Sequence, residues 1–171
     1  MNHLQNLLNK ITSPQEAVEQ LKPLKAAGKK VAFTNGCFDI LHKGHVEYLA
    51  QSASRGDVLI VGINSDASVK RQGKGNDRPI NQFSARATVL AALGFIDFVV
   101  EFDDDTPIKL IETIQPDVLL KGADYDPQVA DSNDKRYIVG REIVLENGGS
   151  VEVIDLVEGY STTNLINQMK K

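Results

Sequence analysis

Two histidines three residues apart, His42 and His45, bracket Lys43-Gly44 just before a stretch with helical spacing. A helix start presents unpaired N–H groups and the positive end of the helix dipole, so it attracts phosphate. Imidazoles held there add hydrogen-bond donors, and Gly44 lets a ligand approach the backbone closely. Two such histidines are also a start toward a zinc site. No third or fourth ligand stands nearby, however, and the single cysteine, Cys37, lies in the same loop, so no metal site is expected. Cys37 has no adjacent base and reads as a small packed residue rather than a nucleophile. Near the other end of the chain, Gly159-Tyr160-Ser161-Thr162-Thr163 offers three hydroxyls at another helix start, although Ser161 also reads as a plain N-cap. Lys70, Arg71, Lys74 and Arg78 form a basic, glycine-containing loop. Phosphate capture is favoured there over a solvated face. There is no G-x-x-x-x-G-K-[S/T] loop, and no G-x-G-x-x-G follows a strand.

The elements that must carry these residues alternate. Ser13-Pro14-Gln15-Glu16 is a capping box with proline at the first helical position. Ala17, Val18, Leu21 and Leu24 then recur at helical spacing, with Gly28 as C-terminal cap. Strands are predicted over 31–34, 58–63, 96–100, 117–120 and 151–154. Helices are predicted over 44–54, 83–93, 106–114, 137–146 and 161–169, with a short one opened by Asn64-Ser65-Asp66. Val46, Leu49, Ala50 and Ala53 are the expected buried stripe of the 44–54 helix. Residues 72–79 read as a flexible loop and 124–134 as irregular. This gives an α/β fold: a Rossmann-like, doubly wound parallel sheet of about five strands, with helices on both faces. Ligands in such folds sit beyond the carboxyl ends of the strands. That places the chemistry at 35–45, 64–78, 121–125 and the loop before Ser161.

The chain has 171 residues, 19 Lys plus Arg and 23 Asp plus Glu, for a net charge of −4. So mild an acidity argues against nucleic acid as a partner. No apolar run is long enough to span a membrane, and the first ten residues are not a secretory signal. One cysteine permits no intrachain disulfide. A cytoplasmic location is the default expectation, with residues 1–29 as an N-terminal helical extension and 30–171 as the functional domain.

Gly36-Cys37-Phe38-Asp39-Ile40-Leu41-His42-Lys43-Gly44-His45 resembles the G-x-F-D-x-x-H-x-G-H signature of the nucleotidyltransferase superfamily, and Ser161-Thr162-Thr163 resembles its second signature. The resemblance narrows through Thr34-Asn35, 64–71, 78–81, 105–107, 116–125 and 161–164 to the D-glycero-β-D-manno-heptose 1-phosphate adenylyltransferases. It runs from about Lys30 to the C-terminus. Ala123 departs from the family's usual second glycine, and 126–140 is longer than in typical relatives, as an oligomer contact or a lid. Many relatives carry a sugar kinase ahead of this domain; here the kinase is expected on a separate chain.

The resemblance implies that ATP and a sugar 1-phosphate give ADP-sugar and pyrophosphate by direct in-line displacement. His42 and His45 would bind the α- and β-phosphates, with Lys121 as a third catalytic group at phosphate or adenine. Thr34, Asn35, Gly36, Cys37, Phe38, Gly44 and Gly122 would line the nucleotide, with N–H groups near Cys37 and Phe38 on the α-phosphate. Ser161, Thr162 and Thr163 would cradle the outer phosphates, and Arg71 and Arg78 would capture phosphate. Asn64 and Asp66 would read ribose or acceptor, Asp66 being equally readable as an N-cap; Asp124 and Tyr125 would read sugar hydroxyls. Asp39 would orient the histidine loop or hold Mg²⁺ through water; Mg²⁺ is expected to arrive with ATP. Enzymes of this type often dimerise, so a homodimer is among the implied assemblies. The alternatives are a cytidylyltransferase acting on glycerol 3-phosphate or another phosphate acceptor, and a non-catalytic nucleotide-binding module.

Overall fold

The computed structural model of the chain describes residues 2–73 and 77–169. Lys74, part of the expected basic loop, lies outside the described residues. Six strands form one sheet: β1 (Ile11–Thr12), β2 (Val31–Gly36), β3 (Val58–Asn64), β4 (Phe98–Phe102), β5 (Val118–Gly122) and β6 (Ser150–Ile154). Their order is β1-β4-β3-β2-β5-β6, and every pairing is parallel. The sheet therefore has one strand more than the five expected. The addition is β1, two residues long, whose register sets Ile11 beside Val99 and Thr12 beside Val100. A two-residue strand has no room for a period-2 pattern, so only the edge of β4 reveals it.

Strands buried on both faces read as continuous apolar runs, and β3 is buried at all seven positions. Alternate side chains divide into two cores. Val31, Phe33, Val58, Ile60 and Leu119 point to one face with Ala17, Leu21, Leu110, Ile111, Ile114 and Val144. These come from α2 (Pro14–Ala26), α6 (Ile108–Ile114) and α7 (Arg141–Glu146). Ala32, Leu59, Val61, Ile63, Val118 and Leu120 point to the other, under α3 (Lys43–Ala53) and α5 (Phe83–Ala91). The capping box holds at α2, where Ser13 accepts from the Glu16 amide and Glu16 from the Ser13 amide. Gly28 ends it at φ 75°, and the Lys29 amide reaches back to the Leu24 carbonyl.

Three local expectations change. The buried stripe of α3 is Gly44, Tyr48, Leu49 and Ser52, which keeps Leu49 of the expected stripe but is turned away from Val46, Ala50 and Ala53. The rotation follows from the Tyr48 hydroxyl, which meets the Thr34 hydroxyl of β2 at 2.7 Å inside the core. The cap of α4 (Asp66–Arg71) is Ser65, not Asp66. The helix predicted over 137–146 begins only at Arg141, because Tyr137 is bonded back to Asp134 and Gly140 adopts φ 88°. No helix among the described residues is long and apolar enough to cross a membrane.

Candidate active site

The chain runs outward from β2 through β3 to β4, then returns to β5 on the other side of β2. The crevice at that reversal, beyond the strand ends, is where open α/β sheets bind ligands. A cavity of about 490 Å³ opens there. Asn35, Gly36, Cys37 and Phe38 line it from the end of β2, and Lys121, Gly122, Asp124 and Tyr125 from the end of β5. His42, Gly44, His45 and Tyr48 come from the start of α3, and Ser161, Thr162 and Thr163 from the start of α8 (Thr162–Met169). Leu156, Val157 and Tyr160 complete the wall. The two helix starts that the sequence set 119 residues apart thus face one space.

His42 is itself the N-cap of α3: its Nδ1 accepts from the His45 amide at 3.3 Å. In the neutral ring that acceptor role puts the proton on Nε2. His42 Nε2 and His45 Nδ1 are buried and have no hydrogen-bond partner among the described residues. Orphaned buried nitrogens are rare in folded proteins and cost about 1–3 kcal/mol each, so this pair marks the cavity as a candidate binding site. The two rings stack at 3.7 Å between centroids, 17° from parallel. Burial, then the neighbouring His42, pushes the His45 pKa from 6.5 down to about 4, against a raising contribution from the Ile40 backbone. Burial also lowers that of His42. Both imidazoles are therefore neutral at pH 7 in the free protein.

The preceding loop is tightly drawn. Phe38 has φ 45°, a left-handed conformation that costs a residue with a side chain about 1–3 kcal/mol. Its ring meets His45 edge-on at 5.1 Å, and a Cβ on Gly36 would come within 3.0 Å of that ring. A Cβ on Gly44 would approach Tyr160 Cβ at 3.1 Å and the His42 ring at 3.2 Å. Gly44 thus fits the histidine helix against the loop before α8.

Lys121, only 8% exposed, donates to Asn35 Oδ1 at 2.6 Å and lies 5.3 Å from the centre of the Tyr125 ring. It brings positive charge to the floor of the cavity. Burial raises the Tyr125 pKa, with help from Asp124 and Cys37. Burial likewise pushes the Tyr48 phenol to about 12, leaving it a neutral hydrogen-bonding group.

Five expected site residues do not line this cavity. Thr34 is bonded to Tyr48 in the core. Asn64, 2% exposed, donates to Ser68 Oγ. Asp66 accepts from the Phe83 amide and from Arg86, both at 2.8 Å. Arg71 is paired with Asp105 at 2.7 Å and with Asp103, in solvent. Arg78 is paired with Asp39 beneath the histidine loop. Arg71 and Arg78 therefore neutralise acidic groups of their own chain. Asp39 accepts from the Ile80 and Asn81 amides at 3.0 and 2.9 Å. Burial raises its pKa, but the two amides and the Arg78 guanidinium outweigh that and hold it below the usual carboxylate value. These contacts tie the loop of Asp39 to residues 78–81.

Sequence reasoning missed Tyr48 and Arg86. The signal for each was position. Tyr48 lies one helical turn after His45, and Arg86 lies one turn before the buried Leu90, on an apolar stripe where a charge needs partners.

Residues 33–168, spanning both helix starts, match the cytidylyltransferase-like family. The bifunctional protein HldE of Campylobacter concisus (strain 13826) is 53% identical over 165 residues, which are 96% of this chain and 32% of that protein. The bifunctional protein HldE of Geotalea uraniireducens (strain Rf4) is 51% identical over 150 residues, 88% of this chain and 29% of that protein. The chain thus spans less than a third of the length of these relatives. The crystal structure of the lipopolysaccharide core biosynthesis protein from Thermoplasma volcanium GSS1 is similar at 26% identity with a TM-score of 0.57, covering 78% of this chain and 100% of that one. The orphaned histidine nitrogens, the facing hydroxyl-bearing helix start and a match over most of the chain agree: the protein belongs to the cytidylyltransferase-like family.

Proposed function

We propose that the chain transfers AMP from ATP to a sugar 1-phosphate, D-glycero-β-D-manno-heptose 1-phosphate above all, releasing pyrophosphate. The observation that carries the reading is the pair of unpartnered nitrogens, His42 Nε2 and His45 Nδ1, at the dipole end of α3 in a cavity walled by Lys121 and Ser161–Thr163. A phosphate dianion of the acceptor is already a nucleophile, so the transfer needs position and charge stabilisation more than a base. His42 Nε2–H donates to the α- and β-phosphate oxygens as the bond to pyrophosphate lengthens. His45 is neutral before the triphosphate binds; binding protonates its unpartnered Nδ1, which then donates to the same oxygens from the stacked ring. Lys121 offsets the charge gathering on the α-phosphoryl group. Thr162 and Thr163, with Ser161, hold the outer phosphates at the start of α8. Leu156 and Tyr160 give the base an apolar wall.

Mg²⁺, which triphosphate chemistry implies, finds no protein cage: among the described residues no three His, Cys, Asp or Glu side chains converge, and Asp124 is the one carboxylate lining the cavity. No step here runs through a protein-bound ion. A sugar kinase would supply the acceptor, and the relatives named bifunctional are in keeping with such a pairing.

The family's name keeps a second donor, CTP, in play. Coupled pyrophosphate release, measured with ATP and with CTP across a panel of sugar 1-phosphates and glycerol 3-phosphate, decides between them. ATP with the heptose phosphate is expected to turn over fastest. Turnover with CTP alone would replace the adenylyl reading, and no pyrophosphate with any pair would remove it.

A further inference from the structure

Arg86 lies on α5, outside the cavity, and is 2% exposed. Its guanidinium reaches four acceptors on three segments of the sheet's upper rim. Nε donates to the Asn81 carbonyl at 3.0 Å, and Nη1 to the Cys37 carbonyl at 2.7 Å. Nη2 donates to the Asn64 carbonyl and to Asp66 Oδ1, both at 2.8 Å. A planar fork with fixed donor directions can serve four acceptors at once, which a lysine ammonium on a flexible stem cannot. Asp39, bound to Arg78 and to the Ile80 and Asn81 amides, ties the same two loops together one turn along.

The bond to Cys37 bears on the reaction. In a trans peptide the C=O and N–H point in opposite directions. Drawing the Cys37 carbonyl down onto Arg86 turns the Phe38 N–H away from Arg86, to the side where Cys37 and Phe38 line the cavity. The left-handed backbone of Phe38 is the cost of that orientation, and such conformations persist only where surrounding contacts fix them. Released from Arg86, the peptide would relax toward negative φ and swing a carbonyl oxygen toward the anion.

We infer that Arg86 is a positioning residue that locks the Cys37–Phe38 peptide with its N–H aimed at the transferring phosphoryl group. The inference rests on the nucleotidyltransfer reading above. Arg86 touches no substrate; it sets one backbone donor of the site and removes one competing acceptor.

The chain has a single cysteine, so Cys37-Phe38 is its one Cys-Phe dipeptide. Labelling cysteine at the carbonyl carbon and phenylalanine at the amide nitrogen therefore gives one NMR correlation, that of the Phe38 amide. In the full-length wild-type chain this peak should move downfield on adding ATP, or CTP if that is the triphosphate bound. Arg86→Lys should lose most of that response, weaken triphosphate binding at least tenfold and lower kcat by roughly 10²-fold, as for loss of one preorganised donor. Millimolar guanidinium should restore part of the activity of Arg86→Ala and none of that of His42→Ala. A Phe38 amide that stays still at saturating triphosphate overturns the inference, even if Arg86→Lys does not fold. So does an Arg86→Lys protein with wild-type turnover. If the wild type binds CTP and not ATP, the adenylyl reading fails and the peptide is judged with CTP. If it binds neither, both readings fall.

Discussion

His45 should make the fold lose stability on mild acidification. Its pKa falls from 6.5 in the unfolded chain to about 4 in the folded one, because burial and the stacked His42 disfavour the imidazolium. A lowered folded pKa means that the unfolded state binds the proton more tightly. The stability is therefore whole above pH 6.5 and is lost as pH falls from there toward 4. Over that whole window the loss is about 3 kcal/mol, of which about 2 kcal/mol would be gone by pH 5. Two kilocalories are a large share of the ~5–15 kcal/mol that holds an ordinary domain together. Urea unfolding of the wild type and His45→Gln at pH 7 and pH 5 isolates the contribution. Gln keeps a polar group and cannot titrate; His42 and the carboxylates remain in both proteins. The wild type should lose about 2 kcal/mol more than the variant between the two pH values. A triphosphate in the cavity would favour the imidazolium, so ATP binding at pH 5.5 should take up protons, seen as a buffer-dependent binding enthalpy. Equal pH dependence in wild type and His45→Gln would refute the claim that burial and the paired ring keep His45 neutral.

Three further outcomes follow from particular contacts. Gly44→Ala adds a Cβ within 3.1–3.2 Å of Tyr160 and the His42 ring, yet alanine is the better helix former by about 1 kcal/mol; turnover should fall at least tenfold while the melting temperature holds or rises. Arg71→Ala removes exposed, solvent-screened pairs to Asp103 and Asp105, so the melting temperature should hardly move and calorimetry should give an unchanged ATP affinity. Replacing Ser161 and Thr162 together by alanine should weaken ATP by roughly one to two orders of magnitude and AMP much less, because only ATP carries outer phosphates for the start of α8; equal losses in calorimetric titrations of the two nucleotides would place those phosphates elsewhere.

Local patterns marked most of this fold because they coincide with their structural consequences. The run Val58–Asn64 is apolar because both faces of β3 are covered, and Ser13 with Glu16 caps α2 by contacts within four residues. The two helix starts were legible for the same reason: an N-cap side chain, a glycine and hydroxyls are the local chemistry of anion binding. What stayed hidden depends on pairing across the chain. Arg71 and Arg78 read as free cations until residues 103–105 and Asp39, more than thirty residues away, are brought beside them. Arg86 reads as a surface charge on a helix until four acceptors from three segments close around it. The division has a physical cause. The groups that meet the ligand must stay unsatisfied within the protein, so their chemistry shows in their own types and spacing. The groups that hold them in place are satisfied by distant partners, so they are visible only when the chain is folded. On the proposed reading His42 and His45 belong to the first kind and Arg86 and Asp39 to the second, and the Cys37–Phe38 peptide is where the two meet.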